Sequence, residues 1–280
     1  MTADRTIVCA GTLSAITCYS VRSLVLHGYG EHADITTLLG NDAVIAARLL
    51  HTSGEPVSCL LIDPTKADVH VLREAAPGLR VRATGCRSGP VTRSAVLQAG
   101  DGQRYWLLPP IPTAPGPLSV EPDMTRTLLY VDLYDEVEEA VFTWLAASTP
   151  GRLTVNLSGS RHDAKAARLA PLRPLLVQAS LPYAASPAGL QEAAHKLRSM
   201  AYATYALVSA GPRGFTMTGP GGTWHRTPGR IITGPALGAG AALSAGLLAG
   251  LTHGAGGADL ADTANNRVTA HLCEKTGGAL

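Results

Sequence analysis

The chain has 280 residues, 46% of them hydrophobic and 16% charged, with a formal net charge of +2. This composition suits a globular chain with a sizeable core, and so small a charge, with no Lys/Arg run, argues against nucleic acid or an anionic membrane as partner. The five cysteines, Cys9, Cys18, Cys59, Cys86 and Cys273, are scattered and form no C-x-x-C pair, which argues against a disulfide framework or a zinc site and suits a reducing cytoplasm.

The opening MTADRTIVCAG has no long apolar stretch behind a basic start, so it predicts a first strand over 5–11 and not a signal peptide. Residues 41–54 predict a helix with Asn41 as N-cap and Gly54 near its end. Residues 57–63 read as a buried strand, and 67–78 as an amphipathic helix. Two extended runs over 91–110 flank Asp101-Gly102, a hairpin signal, and a Pro-rich connector follows over 109–117. Strands over 127–135, 152–158, 174–180 and 205–211 then alternate with helices over 136–148, near 164–170 and over 189–200. Residues 214–225 predict a hairpin turning at 219–222; a glycine-rich helix and a final helix over 257–273 close the chain.

Buried strands alternating with helices imply an α/β chain with a mostly parallel sheet covered on both faces. The segments near 17–37 and 87–110 point to a small β lid beside it, within a single domain spanning 1–280. In such sheets a ligand sits beyond the carboxyl ends of the strands, where Asp63, Asp132, Asn156 and Ser209 fall.

The segment 231–250, IITGPALGAGAALSAGLLAG, runs through a glycine-rich turn into a helix of small and apolar residues. The turn at Gly238, Ala239 and Gly240 is either an anion cradle, with backbone N–H groups at a positive helix end, or a tight turn that lets the helix pack. No Asp, Glu, Lys or Arg occurs over 231–258, and Gly246-x-x-x-Gly250 matches a membrane helix-packing motif. The Gly/Ala content and the Gly234-Pro235 break favour a fully buried helix packed closely through its small residues. No Gly-Lys-Ser/Thr follows the turn, so it is not a Walker A loop, and no ribose-binding acid is placed for a dinucleotide site.

Other residues carry a ligand role beside a structural one. Asn41 is a ligand contact or a plain N-cap, and Thr92 and Arg93 meet a ligand or edge the lid. Ser209 and Gly211 line a groove or end a strand; Asn156 and Ser158 are site groups or a capped turn. Asp132 and Asp135 are the candidates for a catalytic base, against structural capping. His162, His195, His225 and His253 show no metal spacing. Asn265-Asn266 touches a base or forms an exposed helix face.

Three segments resemble the ribokinase (PfkB) family of sugar and nucleoside kinases, the last two in the family's order and spacing, and the resemblance runs over nearly the whole chain. NDAVIAARL (41–49) looks like the family's A-N-x-A-x-A-A-R-L helix, and ALVSAGPRGFTMTGPGG (206–222) like its V-V-T-x-G-x-x-G segment. ALGAGAALSAGLLAGL (236–251) looks like the second signature, D-T-x-G-A-G-D. The resemblance implies a ribokinase-like three-layer sandwich with a β lid and a homodimer paired through that lid. It implies ATP or ADP with magnesium as cofactor, held by Gly238, Ala239 and Gly240 and by Ser209, Gly211, Gly214 and Asn265. A small-molecule substrate would meet Ser14, Ile16, Asn41, Thr92 and Asn156.

Departures from the family pattern bear on function. Ala241 stands where the family's catalytic Asp belongs, and a methyl group cannot take a proton. Losing a positioned base typically lowers a rate by roughly 100- to 10,000-fold. Ile16 stands where an Asp would hold sugar hydroxyls. The paired glycines before Asn41 are absent, and no N-x-x-E follows residue 180. The expectation is a degenerate relative that binds a nucleotide, nucleoside or sugar-like ligand. The alternatives are an active ATP-dependent kinase with a substitute base, or another activity in the same pocket.

Overall fold

The computed structural model describes residues 6–21, 33–99, 104–108, 127–134, 137–147, 152–158, 161–181, 185–229 and 237–275. β1 (Ile7–Gly11) is buried at every residue. It leads into β2 (Ala15–Val21) and β3 (Asp34–Leu39), then α1 (Asp42–Thr52) and β4 (Val57–Leu61). β4 stops short of the expected residue 63 because Asp63 takes a left-handed φ of 48°, which cannot continue a ladder. α2 (Lys66–Ala75) starts at a capping box, with Thr65 and Asp68 bonding each other's backbone N–H. β5 (Arg80–Ala83) has no clear sequence signal: RVRA is a short, charged edge strand.

β6 (Arg93–Ala99) and β7 (Arg104–Leu107) are the expected hairpin strands; the Asp101-Gly102 turn and the Pro-rich connector lie outside the described residues. β8 (Leu128–Asp132), α3 (Glu138–Ala147), β9 (Arg152–Asn156), α4 (His162–Leu169), β10 (Leu176–Ser180), α5 (Pro187–Ala201) and β11 (Tyr205–Ser209) form the expected alternation. The hairpin of β12 (Phe215–Gly219) and β13 (Gly222–Arg226) precedes α6 (Ala239–Thr252) and α7 (Gly257–Lys275).

The described strands form two sheets. The larger runs β13-β12-β11-β10-β9-β8-β1-β4-β5, parallel except for β12 and β13; the smaller runs β3-β2-β6-β7. Alternate residues of each central strand feed opposite faces. Cys9, Leu61 and Tyr130 pack with α1, α2, α6 and α7, whereas Ala10, Leu60 and Val131 pack with α3, α4 and α5. The fold is the expected three-layer α/β sandwich with a smaller mixed sheet.

Strand order reverses between β1 and β8, so the loops leaving these two neighbours run to opposite sides and open a crevice at their carboxyl ends. α6 is the buried helix anticipated from its small residues. A Cβ at Gly246 would come 2.7 Å from Ala264 Cα, and one at Gly250 2.8 Å from Leu260 Cδ1, so the G-x-x-x-G motif is the α6–α7 packing seam. No described helix is long and apolar enough to cross a membrane. The cysteines among the described residues are all free. Cys9 and Cys59 lie side by side in β1 and β4, and burial pushes the Cys59 thiol up to about 12, so it stays an unreactive core group.

Candidate active site at the strand ends

A cavity of 390 Å³ opens at the β1–β8 crevice. Its floor is made by Thr12 and Ser14 after β1, Asn156 and Ser158 at the end of β9, and Ser180 at the end of β10. Ser94, Trp106 and Leu108 of the lid line it from the other side. Arg87 and Asp63 form a salt bridge of 2.8 Å on its wall.

Asn41 precedes α1 as expected, but its side chain makes no cap bond; its Nδ2 donates to Thr12 Oγ1 at 2.7 Å, on the cavity wall. Thr92 also lines the cavity, yet its Oγ1 and backbone N–H both donate to the buried Asp68, at 2.9 and 2.8 Å. Ser14 is bonded to Ser94, joining floor to lid. Ile16 is elsewhere. It is 3% exposed in an apolar cluster with Cys18, Val96 and Leu237, because the β2 pleat turns it into the seam beneath the lid. Of the expected substrate residues, Ser14, Asn41, Thr92 and Asn156 line the cavity and Ile16 does not.

Asp132 is fully buried and does not line the cavity, and Asp135 lies outside the described residues. Among the described residues the cavity carboxylate nearest the glycine-rich turn is Asp42, which the sequence pattern does not single out. Asn156 Nδ2 is 3.0 Å from Asp42 Oδ2, 3.1 Å from Asp132 Oδ1 and 3.0 Å from Ser158 Oγ, and Ser158 donates to Asp132 Oδ1. Asp132 Oδ2 is buried without a hydrogen-bond partner. Burial first, and the neighbouring Asp42 second, push the Asp132 carboxyl well above the usual range against the pull of the Ser158 and Asn156 bonds. The fully buried Lys165 ties the segment after β8 to that after β9, donating to Leu133 O at 2.8 Å and Ser158 O at 2.5 Å.

Gly238 is the N-cap of α6 at φ +85°, with no side-chain cap bond, and a Cβ there would come 3.1 Å from His271 Nε2. The first N–H groups of α6 thus start from a turn without a side-chain cap. Ala241 is fully buried. A Cβ on Gly240 would come 3.8 Å from Asp42 Oδ2, so the N-terminal ends of α1 and α6 meet at this carboxylate. Behind them Tyr130 donates to Ser244 Oγ at 3.0 Å, and Ser244 donates to Gln178 Oε1 at 3.0 Å, bracing α6 against β8 and β10.

The predicted nucleotide residues do not line the cavity. Ser209 Oγ lies 3.0 Å from Ser180 Oγ, and Gly211 opens a short turn after β11. A Cβ on Gly214 would come 1.9 Å from Arg226 O, so close packing at the start of the hairpin by itself calls for a glycine there. Asn265 is half-buried on α7. His162 lines the cavity, whereas His195 and His225 bond threonines and His253 meets Glu55. Among the described residues no three His, Cys, Asp or Glu side chains converge as a metal site.

No family model matches the chain, and no curated protein matches it by sequence. Its fold has solved counterparts. Phosphofructokinase-2 from Escherichia coli in complex with fructose-6-phosphate aligns at a TM-score of 0.66 and 14% identity, over 95% of this chain and 93% of that one. Ribokinase from Cryptococcus neoformans var. grubii serotype A in complex with ADP gives 0.71 and 16%, over 95% and 92%. Arabidopsis thaliana ribokinase with ribose and ATP gives 0.65 and 14%, over 99% and 94%. The chain has the ribokinase-like fold of PfkB-type kinases.

Proposed function

We propose that this chain is a PfkB-type protein that binds a small hydroxylated ligand in the crevice under its lid, together with a nucleotide at the α6 turn, and whose chemistry departs from the family at the base position. The observation that carries the reading is the 390 Å³ cavity, whose hydroxyl and amide groups converge at the switch point while the lid covers its mouth. Thr12, Ser14, Asn41 and Asn156 match a polyol better than an apolar ligand, and proteins of this fold carry ribose and fructose-6-phosphate.

The N–H groups of Ala239, Gly240 and Ala241 fit nucleotide phosphates, since Gly238 leaves the helix start without a side-chain cap. Ser209, Gly211 and Asn265 are the groups we assign to the rest of the nucleotide. Magnesium enters this proposal as the nucleotide's own counter-ion. The exposed face of the lid sheet, across which Ile35 of β3 (62% exposed) and Tyr105 of β7 (60% exposed) align in register, is the face through which we place a homodimer in the cytoplasm.

A thermal-shift titration with ATP, ADP and AMP, with and without magnesium, tests the reading. A ligand at a hundred times its Kd adds about 2.7 kcal/mol to the folded state. A nucleotide-dependent rise, increased further by ribose or fructose 6-phosphate, is expected. No rise at millimolar nucleotide would leave the fold serving as a scaffold and end the proposal.

A further inference from the structure

Among the described residues three carboxylates line the cavity, and they are not equivalent. Asp68 accepts from the backbone N–H groups of Thr65 and Thr92 and from the Thr92 hydroxyl, so it is a structural group at the start of α2. Asp63 is paired with Arg87. Asp42 alone of the three faces the α6 turn, within 3.8 Å of the position a Gly240 Cβ would take.

We propose that Asp42 is the general base of a phosphoryl transfer in this cavity, its carboxylate entering from α1 beside the turn where α6 itself offers only the methyl group of Ala241. The proposal rests on the reading above, that nucleotide phosphates bind at the α6 turn and a hydroxylated acceptor binds under the lid. Its supports are positional. Asp42 is half-buried and open to the cavity, whereas Asp132 behind it is sealed from it. The Asn156 amide donates to Asp42 Oδ2 at 3.0 Å and fixes its orientation. As the first residue of α1, Asp42 lies at the positive end of that helix, and the start of α6 brings a second positive end beside it. The buried, unpartnered Oδ2 of Asp132 and the bridging amide of Asn156 make this a built acid pair and not a stray surface residue.

In the step proposed, the acceptor hydroxyl oxygen attacks the terminal phosphorus of a nucleoside triphosphate. The new O–P bond forms as the bond from that phosphorus to the bridging oxygen breaks, and the electron pair leaves with the nucleoside diphosphate. The hydroxyl proton passes to the Asp42 carboxylate and is released to solvent with the products. Asn156 is a positioning residue in this scheme.

The test pairs turnover with binding. Magnesium-ATP is supplied with D-ribose, D-fructose 6-phosphate or adenosine, ADP release is followed, and the ADP-dependent thermal shift is measured on the same samples. Asp42→Asn is expected to lower kcat by roughly 100- to 10,000-fold while keeping the wild-type ADP shift. Should that variant not fold, Asp42→Glu carries the test, because moving the carboxylate by one methylene is expected to lower kcat by about tenfold or more with the shift unchanged. Wild-type turnover in a folded Asp42 variant would overturn the assignment and leave the binding reading intact. A wild-type protein that shifts with ADP yet turns over none of the acceptors would also overturn the base and keep the reading. Absence of any ADP shift in the wild type would overturn both.

Discussion

Replacing Asp132 by Asn isolates the energetics of the buried acid pair. Asp132 is fully buried, one of its oxygens has no partner, and its carboxyl is held well above the usual range by burial and by Asp42. The sign follows from proton binding. Between the ordinary carboxylate value near 4 and the raised folded value, the folded state holds a proton that the unfolded state has lost. Stability therefore falls as pH rises through that window, by about 1.4 kcal/mol for each pH unit if this group acts alone. Asparagine has the shape of the protonated acid, keeps an oxygen for the Asn156 and Ser158 donors, and cannot ionise. At about pH 5 variant and wild type are expected to be close in stability; at about pH 8 the variant is expected to be the more stable, by about 1.4 kcal/mol for every unit of the window crossed. Urea unfolding of both proteins at the two pH values measures this directly. A wild type whose stability is flat or rises across the range relative to the variant would refute the buried, proton-bearing assignment.

Gly214→Ala is expected to destabilise by about 3 kcal/mol or more, since the residue sits at φ +82° and its new Cβ would meet Arg226 O at 1.9 Å; chemical denaturation reads it. Thr65→Ala removes a true capping box and is expected to lose about 1 kcal/mol, whereas Asn41→Ala is expected to lose less through the helix, because its side chain caps nothing. The same Asn41→Ala change is expected to weaken the sugar-dependent part of the thermal shift, through loss of the Thr12-bonded amide from the cavity wall; an unchanged shift would remove Asn41 from the ligand site.

Much of the architecture was legible locally. Buried β-branched strands, Gly and Pro punctuation and the Gly219–Gly222 turn are short-range signals, and they predict β12, β13 and the parallel alternation before them. β5 escaped because a short charged edge strand carries neither periodicity nor length. The glycine-rich helix was legible as buried because small residues without charge fit only a close packing partner, here α7. Side-chain destinations were a different matter. The sequence determined that Asn41 would stand at a helix start, but only the fold sends its amide to Thr12 instead of the helix backbone. Ile16 could be aligned to a ligand position, but the β2 pleat and the lid seam bury it among apolar neighbours.

Asp42 is the sharpest case. In the sequence it is one acidic residue in the first turn of α1, where the helix dipole accounts for it fully. Its meeting with Gly240, and its shared amide with Asp132, exist only because the sheet carries α1 and α6 on one face with their N-terminal ends at the same crevice. Periodicity and turn chemistry act over a few residues and determined the elements. The convergence of carboxylates, amides and helix ends depends on contacts between residues far apart in the chain, so it was decided by the tertiary structure.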